Sequence, residues 1–161
     1  MGRTEFLYVL FIEAAPEAVW QALTSPDFTE RYWGGRRIQS DWSPGAAVRH
    51  LRMDGRADWE GEVLISEPPR RLAYTFHMKI SDAHAADPPS RVTFEIEPMG
   101  SVVKLTLRHE HIQPDSTTNE TTSRGWPAIL SSLKSLLETG KPLPFKGLGF
   151  GPSDSANPGS R

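Results

Sequence analysis

Gly125-Trp126-Pro127-Ala128-Ile129-Leu130-Ser131-Ser132-Leu133-Lys134-Ser135-Leu136-Leu137-Glu138 is the stretch on which the reading of the fold turns. Trp126, Ile129, Leu130, Leu133 and Leu137 fall at helical spacing and make one apolar stripe. Gly140 with Pro142 and Pro144 behind it is a natural stop. Upstream, Thr117-x-x-Glu120 has the spacing of a capping box, in which hydroxyl and carboxylate each satisfy a free N–H of the first turn. Pro127 is the anomaly, because inside a helix it removes a hydrogen bond and costs about 3 kcal/mol or more. Either the helix kinks there or its regular part starts near Gly125, with the capping turn separate.

Working back from this helix, the chain reads as β structure. Strands are expected near Arg36–Trp42, Ala46–Met53, Asp58–Glu67, Arg71–Ile80, Arg91–Met99 and Val102–Ile112. Ser43-Pro44-Gly45, Asp54-Gly55, Pro68-Pro69, Asp87-Pro88-Pro89 and Met99-Gly100 break them, and Asp-Gly and X-Gly are tight-turn signals because glycine accepts positive φ. Sequential hairpins make an antiparallel sheet. Ser81–Pro89 reads as a mobile loop. Leu72, Tyr74, Phe76 and Met78 share one face, as do Val92, Phe94 and Ile96, and Trp59, Gly61, Val63 and Ile65. That alternation means one buried face and one wet face. Ala46–Met53 gives no clear assignment.

At the start, Thr4–Glu13 is a strand with apolar residues on both faces. Pro16 opens a helix carrying Val19, Trp20 and Leu23 to Thr24. Ser25-Pro26 breaks it, a short helix covers Asp27–Tyr32, and Gly34-Gly35 ends that one. The order is strand, short helices, antiparallel strands, long helix. One long helix across a curved sheet leaves a volume between them, where a function would sit.

The totals bound the possibilities. With 161 residues, 37% hydrophobic and 24% charged, the chain reads as one globular domain over residues 1–145, with a Gly/Pro/Ser-rich flexible tail over 146–161. No run approaches the ~18 apolar residues of a membrane span. The formal net charge of −2 comes from interspersed charges, which argues against nucleic acid as a partner. There is no cysteine. That excludes disulfides, thiolate chemistry and cysteine-based metal sites, and it fits a reducing cytoplasm.

Four pieces taken in order carry a resemblance: Ala15-Pro16-Glu17-Ala18-Val19-Trp20, Gly61-Glu62-Val63 through Leu72-Ala73-Tyr74-Thr75, Val103-Lys104-Leu105-Thr106-Leu107-Arg108-His109-Glu110, and Gly125-Trp126 with the leucines after it. The chain resembles the bacterial single-domain relatives of the activator of the Hsp90 ATPase, within the START, polyketide-cyclase and birch-pollen-allergen-like (SRPBCC) superfamily. The resemblance spans about residues 4–140. It implies an α+β helix-grip fold: a curved antiparallel sheet around a long C-terminal helix, with two short helices after the first strand. Two departures stand out. His111 stands where relatives commonly have glycine, and Pro127 follows the Gly-Trp pair. The eukaryotic co-chaperone also carries a separate N-terminal domain for which this chain has no room, so the family name is not read as an activity.

Several residues invite a chemical reading. His109 and His111, two apart on a strand, are expected to point the same way. As a metal pair they would need a third ligand, His50 or a strand Glu, and a polar contact to a ligand is the stronger reading. Glu60 and Glu62 share a face but read as exposed sheet residues. Ser131, Ser132 and Ser135 lack a nucleophile elbow. Gly147-x-Gly149-x-Gly151 follows no strand and is no nucleotide fingerprint. No cofactor, metal or catalytic residue is assigned.

Trp33, Trp59, Tyr74, Phe76, Phe94, His109, His111, Trp126 and Leu130 are the expected ligand-binding residues, with Arg49, His50 or Arg52 as a source of charge. The expected function is binding of a small hydrophobic or amphipathic molecule between the long helix and the sheet, reached near Ser81–Pro89 or the turn at Trp33. The alternatives are a cyclase- or hydratase-type enzyme acting on a polyketide-like substrate, and a chaperone-cofactor-like module with a protein partner.

Overall fold

β-Prone residues alternating from Thr4 turn Phe6, Tyr8, Leu10 and Ile12 toward the core and leave Leu7, Val9 and Phe11 outside. This is β1 (Thr4–Ile12). The computed structural model describes residues 4–145. After β1 come α1 (Pro16–Thr24), α2 (Pro26–Tyr32), β2 (Arg37–Ser40), β3 (Ala47–Leu51), β4 (Ala57–Glu67), β5 (Arg71–Met78), α3 (Asp82–Ala86), β6 (Ser90–Met99), β7 (Val102–Ile112) and α4 (Thr117–Thr139). Pro16 and Pro26 each sit in a first helical turn, where the missing N–H has no intrahelical partner to lose.

The strands form one antiparallel sheet in the order β1-β7-β6-β5-β4-β3-β2. Every neighbour but one is the next strand in sequence, as sequential hairpins require. The exception is β1, which pairs with β7 and brings the first and last strands together. The apolar face of α4, with Trp126, Ile129, Leu130, Leu133 and Leu136 buried, closes over the inner face of the sheet. This is a helix-grip fold. Gly61 in β4 is dictated by packing, since an ideal Cβ there would lie 1.7 Å from the backbone oxygen of Thr75 in β5.

Three sequence expectations change. Ser81–Pro89 is not an open loop: it holds α3, capped by the Ser81 hydroxyl, which accepts from the His84 backbone N–H at 3.2 Å. His84 Nε2 lies 2.8 Å from Thr121 Oγ1, and the Asp87 carboxylate accepts from the Thr118 N–H and hydroxyl at 2.9 and 2.8 Å. These bonds pin α3 to the first turns of α4. The cap of α4 is Ser116 rather than Thr117, its hydroxyl accepting from the Asn119 N–H at 3.0 Å. The capping turn and the leucine stripe belong to one helix that runs through Pro127 and ends at Gly140 in the left-handed conformation. Burial of the stripe outweighs the one hydrogen bond that proline forfeits. The expected tail, residues 146–161, lies outside the described residues. Among the described residues no helix is long and apolar enough to cross a membrane.

Candidate functional site

The inner face of the sheet is tiled with aromatic rings one strand at a time. His50 comes from β3, Trp59 from β4, Tyr74 and Phe76 from β5, Phe94 from β6 and His109 from β7. Trp126 and Leu130 descend from α4, and Trp33 comes from the end of α2. All are buried. Ring centroids stand 5.1 Å apart for Trp59 and Tyr74, 4.7 Å for Trp59 and Phe76, 4.9 Å for Phe76 and His109, and 5.3 Å for Trp33 and Trp126. The sequence thus brings the expected residues together with the exception of His111. The rings rest on one another, because flat side chains from adjacent strands stack beneath α4. Surface clefts run along Glu67, Arg70, Arg71 and Glu95–Pro98, and along Thr24, Pro26 and the outer edge of β2.

His109 is fully buried and bonded at both nitrogens. The Trp126 indole N–H donates to Nδ1 at 3.0 Å, and indole only donates, so Nδ1 is the unprotonated nitrogen. Nε2 therefore carries the proton and donates to Ser90 Oγ at 2.6 Å. The Ser90 hydroxyl in turn donates a hydrogen bond to the Phe76 carbonyl at 3.2 Å. Each donor in this relay meets an acceptor only if the imidazole is neutral. Burial pushes its pKa down to about 3, since removing water disfavours the cation.

His111 departs from the expectation. Phe6 pairs with His109 and Thr4 with Ile112, so β7 has one residue more than β1 between these pairs. The bulge places His111 at φ 65°, exposed. An extra residue breaks the two-residue alternation, and the two histidines end on opposite sides. The His-x-His pair is dismantled, and among the described residues no group of three or more His, Cys, Asp or Glu side chains stands ready for a metal.

At the β2–β3–β4 end lies a polar cluster with weak sequence signals. The Asp58 carboxylate takes the Arg36 guanidinium at Oδ2 and stands 3.2 Å from Arg52 Nε at Oδ1. All three side chains are buried. Beside them His50 stacks on Trp59 at 5.1 Å and meets Trp33 at 4.2 Å. Burial, reinforced by the positive charge of Arg36, drives the His50 pKa well below its ordinary value, so this ring is neutral too. Neither His50 nitrogen has a hydrogen-bond partner among the described residues, and neither does the Trp59 indole N–H.

Of the candidate charges on β3, Arg49 faces out and pairs with Glu60 at 3.4 Å, while His50 and Arg52 face in. Glu62 is exposed. Ser132 accepts from the Leu143 N–H and Ser135 donates to the Lys141 carbonyl, so these serines tie down the chain after α4. Arg36, Asp58 and Ser90 escaped the sequence reading. Arg36 looks like half of a surface Arg-Arg pair, and Asp58 and Ser90 sit at strand starts where polar residues are ordinary. The one available signal was Val48 and His50 alternating with Arg49, and Leu51 blurs it.

With this geometry in view, the sequence model of the family described as Activator of Hsp90 ATPase homolog 1-like protein matches residues 13–138. The chain belongs to that family. Protein MLL2253 from Mesorhizobium loti has a similar structure, with a TM-score of 0.72 and 26% identity over 84% of this chain and 97% of that one. The Aha1 dimer from Colwellia psychrerythraea gives a TM-score of 0.69 at 20% identity, covering 86% of this chain and 98% of that one. CalU16 from Micromonospora echinospora gives 0.67 at 20%, covering 86% and 84%. At 20% identity these last two likenesses concern the fold alone. Comparison with the curated proteins gives no match. Membership in the Hsp90-activator-like family agrees with the helix-grip architecture and with the four sequence pieces that suggested it.

Proposed function

We propose that this protein binds a small hydrophobic or amphipathic molecule against the aromatic surface between α4 and the sheet, at its β2–β3–β4 end. One observation carries the reading. His50 and Trp59 are fully buried among aromatic rings, and their ring nitrogens have no hydrogen-bond partner among the described residues. Each buried polar atom left unpaired costs about 1–3 kcal/mol, so a molecule that supplies partners there recovers free energy that the unliganded fold forgoes. The apolar body of such a molecule adds about 25 cal/mol per Å² removed from water. Met53 at the β3–β4 tip and the Gly34-Gly35 turn flank this end, with Met53 Sδ 3.4 Å from the position of a Gly35 Cβ. The Trp33 ring lies against both His50 and Trp59, so binding at their nitrogens moves it aside. A thermal-shift screen of apolar and amphipathic compounds tests the proposal. Stabilisation by several degrees is expected, and a flat response to every compound overturns it.

The cyclase-type alternative loses its candidate residues. His109 has both nitrogens engaged and is a weak base, and burial raises the Tyr74 pKa well above its ordinary value. The protein-partner alternative keeps a specific observation. Leu7, Val9 and Phe11 form an exposed apolar row on β1, at 52%, 42% and 48% exposure. Titration with purified Hsp90 from the host tests it, and no association at micromolar concentration removes it.

A further inference from the structure

At the edge of the sheet opposite β2, strand β1 has an open side. We propose that two copies of this chain pair there, β1 against β1 in antiparallel register about Leu7, joining two seven-stranded sheets into one.

The contacts with α4 show which backbone groups are open. The Phe11 carbonyl and the Glu13 N–H point away from β7, where Lys134 and Glu138 take them. Backbone direction alternates along a strand, so the N–H and C=O of Glu5, Leu7 and Val9 point the same way. Nothing among the described residues bonds to them. The two edges of the sheet differ in protection. β2 is four residues long and starts at Arg37, which is ion-paired to Asp27 and Glu30. β1 has neither charge nor proline from Phe6 to Ile12. Phe6, Tyr8 and Leu10 are only partly buried on its inner side, and Leu7, Val9 and Phe11 are exposed on its outer side. Such an edge is a template for another strand.

A second copy fits it in hydrogen bonding and in charge. Each open residue offers one donor and one acceptor, and an antiparallel copy returns the same pattern reversed. With Leu7 on the twofold axis, Leu7 bonds to the partner's Leu7 and Glu5 to the partner's Val9. Phe6 then stands opposite the partner's Tyr8, extending a pair of rings that already stack at 6.2 Å within one chain. The Glu5 carboxylate is held by Arg108 of its own chain, and no like charges face each other. A register about Val9 would set Glu5 against the partner's Glu13, and it would need the Phe11 and Glu13 groups that α4 holds. One strand against one strand buries less than the ~1,200 Å² of a standard interface, so the dimer is weak and dissociates on dilution.

Sedimentation velocity of the full chain, from low micromolar to submillimolar concentration, should show a reversible monomer–dimer equilibrium. Leu7→Lys sets two ammonium groups face to face and should weaken dimerisation at least about tenfold. Val9→Lys places a lysine beside the partner's Glu5 and should retain the dimer. The chain has no cysteine, so cross-linking reports position. On oxidation Leu7→Cys should give a disulfide-linked dimer, since paired Cα atoms stand about 5.5 Å apart. Phe11→Cys, comparably exposed but outside the pairing, should not. In the wild-type chain the Leu7 and Val9 amides should exchange more slowly with deuterium as concentration rises, a readout that needs no variant to fold. A monomer at every concentration overturns the proposal and leaves β1 to a strand from a different protein. A dimer that survives Leu7→Lys, or that cross-links equally through Phe11→Cys, overturns the β1 interface.

Discussion

His109 carries the most consequence of any single residue. Its neutral ring joins α4 to β6 through Trp126 and Ser90, and its pKa drops from an ordinary 6.5 to about 3. Between those values the unfolded chain binds a proton that the folded chain refuses. The stabilisation is therefore complete above the unfolded value and drains away as pH falls toward the folded one, by up to about 1.4 kcal/mol per pH unit for one such group. His50 acts in the same direction. Urea unfolding across this range should show stability declining with acidification, and His109→Gln should flatten the decline by one group. A stability independent of pH there contradicts the neutral relay. Gly61 makes a steric demand instead. A Cβ 1.7 Å from the Thr75 oxygen has nowhere to go, so Gly61→Ala should cost about 3 kcal/mol or more in urea unfolding, at the upper end for one substitution.

Among the elements, α4 shows how two ends of a helix are held by different means. Its N-terminus is tied to α3 through Asp87 and His84 and capped by Ser116. Its C-terminal half reaches β1, where Lys134 donates to the Phe11 carbonyl at 2.7 Å and the Glu138 carboxylate accepts from the Glu13 N–H at 2.8 Å. These contacts satisfy backbone groups at the end of an edge strand that would otherwise invite pairing with another chain. Ser116→Ala should cost about 1 kcal/mol, whereas Thr117→Ala should cost clearly less. The reverse order in denaturant unfolding would restore the capping box at Thr117. Asp87→Ala should speed amide exchange in the first turn of α4, measured by hydrogen exchange, because the Thr118 N–H loses its acceptor.

Across the whole molecule, the sheet presents two faces with different duties. The inner face is covered by α4 and lined with buried rings. The outer face carries charged side chains on most strands, and on β1 Leu7, Val9 and Phe11 stand in a row beside Arg108, Thr106 and Lys104 of β7. These side chains are outside the core, so the paired substitution Val9→Lys with Phe11→Lys should change stability by no more than about 1 kcal/mol. It should also lower binding of a hydrophobic reporter dye. Dye binding that persists would place the accessible apolar surface elsewhere, at the β2–β3–β4 end.

The amino-acid sequence by itself determined the order of elements, the hairpin breaks and the family, because these follow from local periodicity, turn chemistry and short motifs. It also identified the ring-bearing inner face, since strict alternation on β4, β5 and β6 leaves one choice. Only the tertiary structure decided what those rings do. One extra residue in β7 turned His111 outward, which no strand periodicity shows. Whether the rings line a hollow or fill it depends on how closely α4 approaches, a distance set by every side chain between helix and sheet at once. The Arg36–His50–Arg52–Asp58 cluster draws on chain segments from the end of α2 to the start of β4, and only their convergence buries the His50 ring nitrogens away from any partner among the described residues. A sequence shows donors and acceptors, and folding determines which of them remain without a partner.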